Sequence, residues 1–286
     1  MMNTTDNGAA ARPAAPLLAA LGALALAGCG AVQRAPAPAA PPANPQVLLL
    51  GEVHDNAAGH RARFDELRLR VEAGWRPAIA MEQFDREHQA LLSKAQRDCA
   101  DAECVIRVMA APRWDWALYR PVISLALQYD LPLLAANLSR ADASRTVRDG
   151  IKASFDAATV AAYQLDAPLP AAIRAGQQRE IVAGHCNMLP DSMLGGMVDA
   201  QIARDIWMAK IVRAQAPRDV VLLAGNGHVR KDFGVARWLA RTAPALTLRS
   251  IGYLEAGGAV AADAYDATRT VAPQTRPDPC AGLPVK

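Results

Sequence analysis

Five short apolar runs, each stopping abruptly at polar residues, constrain this 286-residue chain more than any other feature. They are "QVLLLG", "PAIAMEQ" (Pro77 to Gln83), "LPLLAAN" (Leu131 to Asn137), "DVVLLAGNGH" (Asp219 to His228) and "LTLRSIGY" (Leu246 to Tyr253). Most are continuously apolar rather than alternating, so both faces of each strand must be covered. Amphipathic stretches lie between them. "HRARFDELRLRVEAG" sets Phe64, Leu67 and Val71 on one face and ends at Gly74. "DREHQALLSKAQRD" and "YRPVISLALQYD" follow the same pattern, with Pro121 expected in the first turn of the latter. Strands alternating with helices predict an α/β fold with a mostly parallel central sheet flanked by helices. Residues 139–215 hold no convincing strand and are predicted to form a helical insertion or lid between the third and fourth strands.

The chain begins differently. Arg12 precedes "PLLAALGALALAGCG", an apolar segment ending in small residues, which reads as a signal peptide over 1–28. The segment is shorter than the ~20 residues a membrane span needs. Leu26-Ala27-Gly28-Cys29 resembles a bacterial lipobox. That resemblance implies cleavage before Cys29 and lipid on its sulfur; the alternative is an ordinary signal peptide with a chance cysteine. Residues 29–45, rich in Pro and Ala, form an extended tether. The expected location is the bacterial cell envelope, lipid-anchored in the membrane. Gly30 rather than Asp follows Cys29, so a simple inner-membrane retention signal is missing, and the outer membrane facing the periplasm is expected. The folded body should occupy 46–262, and 263–286 should be an irregular tail. An exported chain meets an oxidising compartment, so Cys99 and Cys104, close together in "DCADAEC", are expected to pair; the partners of Cys186 and Cys280 stay open. A net charge of +3 and 5% aromatic residues argue against nucleic acid as a partner.

Chemistry gathers where the strands stop. The first run is followed by Glu52 and His54, the second ends in Glu82 and Gln83, the third in Asn137, and the fourth in Asn226 and His228. In an open parallel sheet, ligands bind at the carboxyl ends of the strands. Glu52, His54, Glu82 and His228 could there hold a divalent metal, act as general acid and base without one, or brace the loops. Asn137, Asn226, Gln201 and Arg204 are candidates to line the same pocket. Gln201, Arg204 and Asp205 share one helix face, and an inward Arg204 would suit a carboxylate or propionate; a local Arg–Asp surface arrangement is the alternative. His185, in "AGHCNMLP", and Tyr119, in "RWDWALYRP", are candidate ligands for haem iron. The competing reading is that the methionines near His185 and the aromatics near Tyr119 are packing.

Taken in order, "LLLGEVHDN", "AMEQFDR", "RWDWALYRP", "GHCNMLP", "AQIARDIWMA" and "LLAGNGHVRKDFGV" resemble the ChaN-like family of iron-regulated lipoproteins, in the haem-binding uptake, Tiki-like superfamily. The resemblance implies a membrane-anchored haem-binding lipoprotein acting in haem and iron uptake. It further implies haem held between two protomers of a homodimer, a tyrosine as axial ligand (Tyr119, Tyr163 or Tyr253), and an outer-membrane haem receptor as a partner. The wider superfamily also includes Tiki-type metal-dependent proteases and erythromycin esterases. By that analogy Glu52, His54, Glu82 and His228 would be catalytic in a metal-dependent hydrolase. A structural envelope lipoprotein, its polar cluster only bracing loops, is a third reading.

Overall fold

The computed structural model describes residues 43–109, 112–257, 260–278 and 280–281. The signal peptide, Cys29 and the tether as far as residue 42 lie outside the described residues. Among those residues no helix is long and apolar enough to cross a membrane.

Six strands form one sheet in the order β3-β2-β4-β1-β5-β6. They are β1 (Val47–Leu50), β2 (Ala78–Asp85), β3 (Leu133–Asn137), β4 (Val220–Leu223), β5 (Leu248–Glu255) and β6 (Ala267–Val271). Every pairing is parallel. The apolar runs explain why. β1, β3 and β4 are buried along their whole length, as strands covered by helices on both faces must be.

The first face is covered by α1 (Ala57–Glu72), α2 (Gln89–Asp98), α3 (Ala102–Met109) and α4 (Trp116–Gln128). Leu48, Leu50, Met81 and Ala135 point into that layer together with Leu67, Val71 and Ile123. The second face is covered by α8 (Asp191–Arg213) and α9 (Val235–Leu239), which pack with Leu49, Ala80 and Leu222. Outside α8 lie α5 (Arg140–Asp149) and α7 (Ala171–Gly184), with the short α6 (Ala157–Ala162) between them in sequence. The stretch between β3 and β4 is thus helical, and its longest helix serves as a covering layer of the sheet. Gly196 allows α5 to come close, since a Cβ there would lie 2.8 Å from the Val147 side chain.

Two expectations fail locally. The tail expected to be irregular from 263 contributes β6, an edge strand whose sequence "ATRTV" is mostly exposed and carries no apolar run. Pro121 lies in the second turn of α4, not the first, because the helix begins at Trp116 behind an Asp115 N-cap that accepts from the Ala117 N–H at 3.1 Å. Cys99 and Cys104 are disulfide-bonded, and so are Cys186 and Cys280.

Candidate functional site

Strand register and side-chain alternation decide which polar residues meet. Leu50 pairs with both Leu223 and Ile251, and Met81 with Leu223. Glu52 and Gly225 therefore follow at one level of the carboxyl edge, and Glu82 lies one residue before it. Successive strand side chains point to opposite faces. Glu52, two residues beyond Leu50, falls on the α1–α4 side; Glu82, two beyond Ala80, falls on the α8 side. β2 shifts register against β3 between Met81 and Asp85, an irregularity of the kind that re-aims side chains beside functional sites.

On the α1–α4 side Glu52 is a saturated hub. Its Oε1 accepts from Tyr119 Oη at 2.7 Å, His54 Nδ1 at 2.7 Å and Gln83 Nε2 at 3.2 Å. Its Oε2 is held by the Arg63 guanidinium. Arg63 is fully buried, and burial pulls its guanidinium down to about 10, which leaves it charged at neutral pH. It also donates to His60 Nδ1 at 3.0 Å, while His60 Nε2 donates to the His54 carbonyl at 3.1 Å. Burial and that acceptor role keep His60 neutral, with its pKa below the ordinary imidazole value. α1 carries these polar groups on the stripe that continues as Leu67 and Val71 toward its other end.

On the α8 side the arrangement is sparser. Glu82 Oε2 accepts from the Gly225 N–H at 2.7 Å, and its Oε1 faces His228 Nε2 at 3.6 Å, beyond a direct hydrogen bond. His228 Nδ1 meets Asp205 Oδ1 at 2.6 Å; Asp205 Oδ2 accepts from Gln177 Nε2 at 2.6 Å. Burial would raise Glu82, yet His228, His54, the Gly225 N–H and Arg204 together hold it below the usual carboxylate value. Burial would lower His228, yet Glu82 and Asp205 hold it above the usual imidazole value. Burial pushes Asp205 up to about 6 against the pull of His228. His54 links the two sides. A Cβ on Gly225 would lie 3.2 Å from His54 Nε2 and 3.6 Å from Glu82 Oε2, so the ring and the carboxylate converge over this glycine.

Beside this network opens a cleft of about 360 Å³ between α5, α7 and α8. Val147, Ile181 and Met197 give it apolar walls, and Gln201, Arg204 and His228 also line it. His185 stands exposed in the lining at the end of α7. Its Nδ1 lies 2.7 Å from the Ile181 carbonyl. A carbonyl can only accept, so Nδ1 is the nitrogen that donates and Nε2 is the one left to ligate, the orientation of a metal-ligating histidine.

The residues singled out in the sequence divide accordingly. His228, Gln201, Arg204 and His185 share the cleft. Asn226 does not: its side chain donates to the Tyr253 carbonyl at 2.6 Å and accepts from the Tyr253 N–H at 3.0 Å, clamping β5. Asn137 lies at the end of β3, its Nδ2 3.3 Å from Asp85 Oδ1, and is absent from the cleft lining. Tyr119 is fully buried and donates to Glu52, and burial drives its phenol well above the ordinary value, the reverse of what a tyrosinate ligand needs. Tyr163, Tyr253 and Tyr265 are buried as well. Tyr129 stacks with Arg76 just before β2 and β3, at the opposite edge of the sheet. No tyrosine is therefore offered to the cleft. The expected metal centre of Glu52, His54, Glu82 and His228 is also not assembled. Among the described residues no three His, Cys, Asp or Glu side chains form a metal-binding group, because the two glutamates face opposite sides and Glu52 is surrounded by protein donors.

Sequence reasoning missed Arg63 and Gln177, placed Gln83 at a strand end without a role, and weighed Asp205 only as a neighbour of Arg204 on one helix face. Asp205 is fully buried and bound to His228 and Gln177, not to Arg204. The available signal was its position beside Ile202, Ile206 and Ala209: an acid on the packing stripe of a helix requires a partner.

Comparison with known proteins settles the ancestry. A family model described as haem-binding uptake, Tiki superfamily, ChaN matches residues 40–239. The chain belongs to the ChaN family. Its fold is similar to that of ChaN of Campylobacter jejuni, solved with cofacially bound haem, at a TM-score of 0.64 and 19% identity, covering 78% of this chain and 86% of that one. More remote likenesses are to an erythromycin esterase mutant in its open conformation (TM-score 0.45, 19% identity, 74% of this chain and 71% of that one) and to the type III effector HopBA1 (TM-score 0.44, 12% identity, 80% and 88%). A search of curated proteins gave no match. For this ChaN-family chain the donor set of the cleft fits haem: an imidazole with its Nε2 free, apolar walls for a macrocycle, and arginines Arg140 and Arg204 on the lining for propionates.

Proposed function

We propose that this protein binds haem in the cleft between α5, α7 and α8 and holds it for uptake at the cell envelope. The observation that carries the reading is His185, whose ring is fixed by the Ile181 carbonyl with its second nitrogen free on the rim of an apolar cleft. Haem brings an iron that takes one such nitrogen as an axial ligand. The protein's part is to orient the imidazole, cover one face of the ring and pair its carboxylates. Anchoring through lipid on Cys29, a tether that holds the body off the membrane, and receipt of haem from an outer-membrane receptor belong to the same proposal. So does a second copy closing on the exposed face of the bound ring, as cofacial binding in the C. jejuni relative suggests. Hemin titrated into the purified protein should give a saturable Soret shift, and His185→Ala should abolish the shift or move its position. An unsaturable, featureless titration of wild type would sink the reading.

A second reading has its own observation. Asp205 orients His228, which lines the cleft, and His228 Nε2 faces the buried Glu82 across 3.6 Å. An imidazole and a carboxylate so placed can give and take a proton at one reacting atom. This supports a hydrolase that works through Glu82 and His228. Ester and peptide turnover that disappears in His228→Ala would establish it, and an inactive wild type across both panels would remove it.

A further inference from the structure

The cleft carries positive groups that the protein itself leaves without carboxylate partners. Arg204, on α8, lines it and is only partly exposed. Its Nη1 donates to Gln201 Oε1 at 3.0 Å, and among the described residues it makes no other side-chain hydrogen bond and no ion pair. A guanidinium has five N–H donors in a fixed fork, so most of Arg204's remain to be used. Gln201 sets the direction of that fork without neutralising it. Arg140, the first residue of α5, is exposed on the same lining and among the described residues likewise forms no ion pair.

Nearby carboxylates are already engaged. Asp142 is held by Arg86 at 2.7 Å and Arg145 at 3.2 Å. Asp199 is held by Arg174 at 2.6 Å. Glu180, on the cleft lining, reaches Arg230 at 3.4 Å. Glu82 and Asp205 attract Arg204 at a distance but share His228. The open wall of the cleft thus presents two unpaired arginines, with His185 and His228 beside them, next to the apolar surface of Val147, Ile181 and Met197. That combination is complementary to an amphipathic anion.

We propose that Arg204, supported at the rim by Arg140, is the carboxylate-recognition point of the cleft, so that the site selects a flat apolar ligand by its free acid groups and discriminates against the same ligand esterified. This rests on the haem reading and adds to it the group that confers selectivity. A bidentate guanidinium–carboxylate contact in a partly buried site is the strong form of such a bond, and its loss corresponds to about 10- to 100-fold in affinity.

The test compares hemin with hemin dimethyl ester on the full chain, and mesoporphyrin with its dimethyl ester by fluorescence, the latter pair free of any iron ligation. Wild type should prefer each free acid by about 10-fold or more. Arg204→Gln should lose most of that preference while keeping the Soret position of the hemin complex, since the axial ligand is untouched. Arg140→Gln, at an exposed position with no partner to strand, should reduce the preference by about 3-fold, and it keeps the test open if Arg204→Gln does not fold. Wild type binding acid and ester equally, or both variants retaining the full preference, overturns the inference and leaves haem binding standing. Failure of wild type to bind hemin at all removes both.

Discussion

Two buried glutamates, Glu52 just beyond β1 and Glu82 within β2, lie at the carboxyl edge of one sheet with β4 between their strands, yet they have become different devices. Glu52 faces α1 and α4 and accepts from Arg63, Tyr119, Gln83 and His54. Glu82 faces α8 and has one backbone donor, with an imidazole held just beyond hydrogen-bonding distance and a cleft alongside. The first is a closed brace that fixes the loop after β1. The second keeps its charge through longer-range neighbours and leaves its environment able to receive a ligand or a proton. Residue type and sheet edge are the same. What differs is the set of donors that the covering helix brings, and a carboxylate becomes structural when all its lone pairs are answered from within.

That contrast can be broken by mutation. Glu52→Gln strands a fully buried Arg63 and should cost about 3–5 kcal/mol, read from urea unfolding at constant slope, whereas Glu82→Gln keeps an acceptor for the Gly225 N–H and should cost about 1 kcal/mol. Equal losses would show the two sites to be alike. Tyr119→Phe removes one neutral donor from the charged hub and should cost about 1.5–3 kcal/mol while leaving hemin titration unchanged; a lost Soret response there would return Tyr119 to the ligand role that its burial denies it. The smallest effect concerns pH. His228 has a raised folded-state pKa because Glu82 and Asp205 outweigh its burial. Its charged form therefore contributes stability that is complete below about 6.5, the ordinary imidazole value, and is lost as pH rises through the higher folded value. Wild type should lose a fraction of a kcal/mol across that alkaline limb, and His228→Gln should flatten it. An unchanged limb in the variant would place the titration elsewhere.

The features legible in the sequence are those set by local pattern. Continuous apolar runs such as "VLLL" and "VVLL" can be stable only as strands covered on both sides, and the polar residues after them had to crowd one edge of a parallel sheet. β6 was illegible because an exposed edge strand needs only one paired side and no apolar run; "ATRTV" is chosen by β5, not by its own periodicity. The role of Asp205 was illegible because the surface-pair pattern with Arg204 is common, and nothing nearby in sequence announces a histidine 23 residues ahead as its partner.

From its sequence alone, then, this chain was bound to be a parallel α/β body with acids and imidazoles along one rim, because burial of uninterrupted apolar strands admits few other solutions. Only the tertiary structure decided which glutamate is answered and which is left open, that Tyr119 braces while His185 is exposed beside the cleft, and that two arginines remain unpaired there. Those outcomes depend on donors contributed by helices far along the chain, and a side chain's chemistry is set by the partners that folding brings to it.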